Sequence, residues 1–358
     1  MSSSTPEMTS SRDQIEVSDT SRLVQEPLVS VLMITYNHAE YLAEAIEGVV
    51  SQKCGFPFEL IIGEDASTDD TRQIALDWQQ RYPEIIRVVY SPSNVGMNAN
   101  ARRVFAKARG KYLAFCEGDD YWCAADKLAR QVELIEADPG VAIVHADWIR
   151  MRWRDGAWYL NPGGSVHQRV SLRLLQGDLF STWHFPKILR TCTVLLRRQT
   201  VQQLLDSGLA RRDYKFGDSV KSVFAVAQGL VAYVPEIVAV YRVSPNSALR
   251  SGAAARVAFY KSSLEFDTDA RAFFAQRGEY GPGYRWEACM GLFLWSLRAR
   301  DARSALSAIK DMYAHFGPIQ FLLAGWKSVC LRWPVWRKHT RAMPRRDSSV
   351  CPGSALDQ

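Results

Sequence analysis

Long apolar runs, paired cysteines and, towards the C-terminus, acidic residues are what this chain has least of. No stretch reaches the roughly 18 charge-free apolar residues of a spanning helix. The longest charge-free runs, 222–235 and 312–326, are shorter and carry polar residues or proline, so no spanning helix is expected. The seven cysteines, at 54, 116, 123, 192, 289, 330 and 351, form no CxxC pair and no metal-ligand spacing. They read as reduced thiols of a cytosolic protein. His38, His145 and His184 are not spaced as ligands and read as ordinary core or surface histidines. Residues 1–26 are rich in serine, threonine and charge and lack the apolar centre of a signal peptide, so a disordered tail is expected there. A formal charge of +6 is mild for a dedicated nucleic-acid binder, and no nucleic-acid partner is expected. The segment after the first apolar run, TYNHAEYL, has no glycine-rich phosphate loop with lysine, which removes a nucleotidyltransferase of that kind.

What is present is a core and an alternating pattern. Apolar residues make up 47% of 358 positions, enough for one large domain or two ordinary ones. Residues 28–35 (LVSVLMIT) form a near-continuous apolar run, the mark of a strand buried on both faces. Asn37 stands where it can cap the next helix, whose inward face is Leu42, Ala45, Ile46, Val49 and Val50. Further strands are expected at 58–63, 85–90, 111–116 and 141–146, with helices between them. This alternation implies right-handed crossovers and a mostly parallel sheet covered by helices on both faces. In such sheets ligands bind beyond the carboxyl ends of the strands.

Three polar segments gather at that rim: TYNH after strand one, GEDASTDD after strand two, and EGDDYW after strand four. The last places Glu117, Asp119 and Asp120 within four residues, although acids are depleted in strands and repel one another. Asp119 and Asp120 could merely cap the following helix. Ionised carboxylates in a pair can instead hold Mg²⁺ or Mn²⁺, which complete their shells with water and substrate phosphates. The second acidic turn on the same rim favours the metal. Tyr36 is either a half-buried aromatic or a platform for a base or a pocket wall.

With these motifs in order, residues 28–150 resemble the family 2 inverting glycosyltransferases of the GT-A fold. The resemblance implies that Thr35, Tyr36, Asn37 and Asp65 contact the base of a nucleoside diphosphate sugar. It implies that Asp119 and Asp120, in a DxD-like motif, bind ribose and metal. Glu117 stands where many members have aspartate. Asn100 falls where members place a polar residue facing the nucleotide, and it can equally be a solvated helix residue. A carboxylate at Asp65 can accept the N3–H of uracil or the amide-type N–H of guanine, and a UDP-sugar is the first expectation. The expected acceptor is a glycan or a lipid-linked glycan, in surface polysaccharide assembly.

Inversion by single displacement needs a group to take the acceptor hydroxyl's proton. The family places it at a Gly-Asp or Glu-Asp just before a helix, which here is Asp218 in KFGDSVKSVFAVAQG, with Asp213 as the fallback. The competing reading of Asp218 is a helix N-cap. Tyr241 and Arg242 match a family segment, but Ser244 and Pro245 depart from the turn that usually follows. Gln-x-x-Arg-Trp is missing, which argues against a processive synthase.

The expected organisation is a disordered tail (1–26), a GT-A domain (27–250), a helical C-terminal extension (251–340) and a second disordered tail (341–358). Between Met312 and Arg346 there is no acidic residue, and basic side chains interleave with Trp326, Trp333 and Trp336. That pattern suits either a packed extension with a solvated basic tail or the surface of an anionic membrane. The location expected is cytoplasmic, with peripheral membrane attachment as an option. A non-catalytic member of the fold, binding nucleotide or membrane, is the alternative to an enzyme.

Overall fold

A computed structural model describes residues 14–154, 156–160, 165, 167–168, 170–181, 188–211, 214–243, 252–278, 283–332 and 341–342. The chain divides into two compact units, Met1–Tyr121 and Trp122–Gln358.

The first unit is built on β2 (Val29–Thr35), β3 (Phe58–Glu64), β4 (Ile86–Tyr90) and β5 (Tyr112–Phe115), ordered β4-β3-β2-β5 and all parallel. β3 is buried along its whole length, its two glutamates Glu59 and Glu64 included. Helices α1 (Leu42–Val50), α2 (Thr71–Arg81) and α3 (Met97–Ala106) supply the crossovers. α3 packs so closely on β3 that a Cβ on Gly63 would collide with Val104 and Asn100. The expected tail of 26 residues is corrected here, because Ile15–Val17 forms β1, antiparallel to β4. The edge of a parallel sheet offers unpaired backbone groups, and a short β-branched segment satisfies them. The capping reading of Asn37 is also corrected. α1 begins only at Leu42, after Tyr41 and without a side-chain cap.

At the amino ends of these strands Glu59 is fully buried. Its Oε1 accepts from Ser30 Oγ (2.6 Å) and the Arg109 N–H (2.9 Å), and its Oε2 accepts from the Arg87 (3.0 Å) and Arg109 (2.9 Å) guanidinium groups. Arg87 extends the network to Glu16 (2.8 Å), which Lys107 also meets (2.9 Å). Burial alone would raise the Glu16 carboxyl, but Lys107 and Arg87 outweigh it and hold it below its ordinary value.

A two-residue strand, β6 (Tyr121–Trp122), falls at the division. In the second unit α4 (Lys127–Ala137) leads to a long strand, β7 (Val141–Arg154), which outruns the expected 141–146. β7 pairs antiparallel with β8 (Ala157–Leu160) and β9 (Leu195–Arg197), and parallel with β10 (Leu230–Val243). α5 (Arg198–Asp206) and α6 (Asp218–Gln228) intervene before β10. Three helices follow: α7 (Ala253–Phe273), α8 (Gly283–Ala299) and α9 (Ala302–Arg332), the last broken at Gly317 (φ 68°, ψ 170°). Arg285 ties them together, donating to Asp267 (2.9 Å) and Asp311 (2.8 Å). Among the described residues no helix is long and apolar enough to cross a membrane. Cys54, Cys116, Cys192 and Cys289 are free thiols. Asp213, His184, Ser244, Pro245 and the side chains of the basic stretch from Trp326 to Arg346 lie outside the described residues.

Candidate functional site

The rim of the first unit is assembled by backbone hydrogen bonds. β2 and β3 end in register at Thr35 and Glu64, and the next amide, Asp65 N–H, donates to Thr35 O (3.1 Å). Gly118 N–H donates to Ile34 O (3.1 Å), and Asp120 N–H closes the EGDD turn on Glu117 O (3.0 Å). The three expected segments are therefore brought together by the strand ends themselves.

Each expected residue has a distinct position. Thr35 is buried, and its Oγ1 is a buried atom with no hydrogen-bond partner. Tyr36 is 44% exposed, unusual for an aromatic at a strand end. Asn37 adopts a left-handed φ of 54°. Its N–H donates to Ser67 Oγ (2.9 Å) and its Oδ1 accepts from Thr68 N–H (2.8 Å), so it ties TYNH to the neighbouring turn. Asp69 adds to this link, accepting from the Ala39 N–H (3.1 Å) and from Thr71 Oγ1.

Asp65 is buried, and its two oxygens accept from the Val95 and Gly96 amides (both 2.9 Å), with Arg103 3.8 Å away. The carboxylate thus holds the 94–96 loop, while each oxygen keeps a second lone pair. Asp120 is only 2% exposed and Asp119 is half-buried. Gly118 packs where a Cβ would come within 2.6 Å of Thr35 Oγ1 and 2.9 Å of His38 Nδ1. His38 Nδ1 is another buried atom without a hydrogen-bond partner. Sequence reading took His38 as ordinary. Its position three residues past a strand end was the signal available.

Asn100 is placed differently from its expectation. It is 2% exposed and turned inward on α3, donating to Gly63 O (2.8 Å) and accepting from Arg103 Nε (3.0 Å). Its amide supports β3. Asp218, in the second unit, opens α6 as the first helical residue, with Gly217 preceding it and no side-chain cap. Its Oδ1 accepts from the Ser219 N–H (2.7 Å). The N-cap reading of this residue is therefore replaced by a first-turn position.

Among the described residues no group of three His, Cys, Asp or Glu side chains is arranged to hold a metal ion. The oxygen donors of the EGDD turn are the small set that Mg²⁺ or Mn²⁺ takes when phosphates complete the shell.

Comparison with known proteins bears on this arrangement. Residues 30–201 match the family model described as Glycosyl transferase family 2. An uncharacterized protein of Mycobacterium tuberculosis (strain ATCC 25618 / H37Rv) is 34% identical over 215 residues, 60% of this chain and 58% of that protein. A Bacillus subtilis (strain 168) protein named "Putative teichuronic acid biosynthesis glycosyltransferase TuaG" is 37% identical over 31% of this chain and 42% of its own length. The chain thus spans about half the length of these curated relatives, 58% of one and 42% of the other. Among solved structures, mannosyltransferase PcManGT from Pyrobaculum calidifontis, in complex with GDP-Man and Mn²⁺, is similar with a TM-score of 0.53 and 20% identity. That likeness covers 87% of this chain and 83% of that one, and it identifies the fold as GT-A. Over residues 30–201 the chain is thus similar to glycosyl transferase family 2.

Proposed function

We propose that the protein is a metal-dependent inverting glycosyltransferase that moves one sugar from a nucleoside diphosphate sugar, a UDP-sugar first, to an acceptor hydroxyl. The acceptor is a surface polysaccharide or lipid-linked glycan. One observation carries the reading: TYN, Asp65 and the EGDD turn meet at the carboxyl ends of a parallel sheet, where ligands of such sheets bind. Similarity to a putative teichuronic acid biosynthesis glycosyltransferase and to a mannosyltransferase bound to GDP-Man and Mn²⁺ supports the glycan and donor classes.

In this reading Tyr36 stacks on the base and Asp65 offers its remaining lone pairs to a base N–H. Thr35 Oγ1 and His38 Nδ1, both lacking partners, supply hydrogen bonds to the nucleotide or to the turn that holds it. Asp119 and Asp120 hold the cation and the ribose. The cation, when bound, neutralises charge on the diphosphate leaving group. Asp218 takes the proton of the attacking hydroxyl on the oxygen that Ser219 does not occupy.

The test is isothermal titration of UDP and GDP in Mn²⁺ and in EDTA. Binding that needs the cation, and that Asp120→Asn no longer couples to it, is expected. Equal affinity with and without Mn²⁺ removes the metal from the proposal.

A further inference from the structure

The second unit holds a cation set over aromatic rings, with no acid among the described residues paired to it. Trp148 and Arg150 lie on one face of β7, and Tyr241 of β10 is paired with Arg150, which brings it to the same face. The Trp148 and Tyr241 rings meet edge to face at 5.8 Å. Over both lies the guanidinium of Arg190, with its Cζ 4.7 Å from the Trp148 centroid and 4.3 Å from the Tyr241 centroid. Arg150 approaches Trp148 as well, at 5.3 Å.

The backbone holds Arg190 in place. Its carbonyl accepts from Thr193 N–H (2.9 Å) and Thr193 Oγ1 (2.8 Å), and the next carbonyls are tied to Trp122 Nε1 (2.8 Å, on Cys192 O) and Gln131 Nε2 (2.7 Å, on Thr193 O). No carboxylate among the described residues forms an ion pair with Arg190. Its Nε is buried without an acceptor, and so is the Nε1 of Trp148, a residue with no exposed surface. A buried donor left unmade costs free energy, and a guanidinium presents its N–H groups as a rigid planar fork. Such a fork fits a planar or tetrahedral oxyanion, bidentate.

We infer that Arg190, held over the Trp148 and Tyr241 rings, is an oxyanion subsite that recognises an acidic acceptor, one bearing a phosphate or a uronate carboxylate. The inference rests on the transferase reading for the word acceptor, and on this cluster alone for the oxyanion. Its place in the unit of Asp218, the proposed base, assigns it to the acceptor. The donor residues proposed above all belong to the other unit.

The binding arm needs no turnover. Full-length protein is titrated with glycerol 3-phosphate, glucuronic acid and glucose at constant ionic strength, following protein NMR shifts. The wild type is expected to bind one or both anions and not glucose, and the stronger of the two tells phosphate from carboxylate. Arg190→Gln should weaken that binding roughly 10–100-fold, and Arg190→Lys, which keeps the charge but loses the fork, should fall between. UDP affinity should be the same in all three. Anion binding that survives Arg190→Gln in a folded variant, or that is missing from the wild type, overturns the subsite. If UDP binding fails while the anion arm succeeds, the transferase reading falls and the subsite stands. Where turnover is measurable, Arg190→Gln should raise the KM for an acidic acceptor and leave kcat and the donor KM unchanged. A fall in kcat alone would contradict an acceptor-recognition role.

Discussion

The two ends of the parallel sheet in the first unit treat buried polarity in opposite ways. At the amino end Glu59 is fully buried, yet both its oxygens are satisfied by Ser30, Arg87 and Arg109. At the carboxyl end Thr35 Oγ1 and His38 Nδ1 are buried without partners, and Asn37 and Ala66 hold left-handed φ values of 54° and 57°. Non-glycine residues in that region cost of order 1–3 kcal/mol each. One end uses its charges to close the fold. The other keeps unmade hydrogen bonds and backbone strain where a ligand can use them. The contrast should therefore separate into stability effects at one end and activity effects at the other.

The largest effect expected is on rate. Asp120→Asn and Asp218→Asn should each lower transfer about 10²–10⁴-fold, the latter by removing general-base assistance. Both are nearly isosteric, so melting temperatures should hold. Asp218→Asn should leave donor affinity unchanged, whereas Asp120→Asn should remove its dependence on Mn²⁺. Normal turnover in Asp218→Asn would shift attention to Asp213. At the opposite end Glu59→Ala should do the reverse. It takes one of two acids from the buried Arg87, which keeps Glu16, and a partner from the exposed Arg109, at a cost of about 3 kcal/mol, while specific activity of the folded fraction survives at low temperature. Chemical denaturation alongside transfer assays checks both. If Glu59→Ala lost activity without losing stability, the division between the two ends would fail.

An intermediate effect follows from pH. His145 in the second unit is fully buried, and burial lowers its pKa to about 3, so the folded protein keeps it neutral. The unfolded chain protonates a histidine below about pH 6.5. Stability should therefore fall as pH drops from about 6.5 towards 3, by several kcal/mol if the whole range is crossed. Glu16 in the first unit has a lowered pKa. Its contribution is present above the unfolded carboxyl value, near pH 4.3, and is lost only as pH falls through the folded one. Hydrogen exchange read unit by unit between pH 7 and 4 should show the second unit loosening first. His145→Leu should flatten the slope between pH 6.5 and 4.5. Loss that begins first around β1 and β4 would reverse the order.

The sheet and its rim were legible because continuous apolar runs reveal parallel strands, and acids at their ends have no structural excuse within the strand. Other features depend on contacts that sequence spacing hides. Glu59 meets Arg87 and Arg109 across separations of 28 and 50 residues, and nothing local marks those charges as partners. Three residues of β1 are too short to show a period. The family resemblance places Asn100 facing the nucleotide, and its position on a helix allows a solvated residue equally well. The turn of α3 that points it inward depends on the close approach allowed by Gly63. Asp65 was read as a base contact, and its bonds to the Val95 and Gly96 amides show a second duty that a motif cannot display.

The close packing at Gly118 gives a smaller test of the rim. A Cβ there meets the side chains of Thr35 and His38, with no flexible chain end to yield, so Gly118→Ala must shift the EGDD turn by some tenths of an ångström. Overpacking of this kind costs about 1–3 kcal/mol. Misplaced carboxylates should weaken Mn²⁺-dependent nucleotide binding more than they lower the melting temperature. Equal loss in both would make the turn a structural element only.

The smallest expected effect belongs to Tyr36, an aromatic at the rim that the fold leaves exposed. At 44% exposure its ring contributes little to the core, so Tyr36→Ala should leave stability within about 0.5 kcal/mol. If the ring stacks on a nucleotide base, its loss should weaken binding by about 1–3 kcal/mol, as base–aromatic stacking does elsewhere. Tyr36→Phe should restore the affinity, because stacking needs the ring and not the hydroxyl. The base itself sharpens the reading: UDP and GDP should both suffer, while inorganic pyrophosphate with Mn²⁺ should bind both variants as it binds the wild type. Unchanged UDP affinity in Tyr36→Ala would take the ring out of the donor site. The exposed aromatic would then mark a surface for something other than the nucleotide, and the contrast between the two ends of the sheet would rest on the acids and the unmade hydrogen bonds alone.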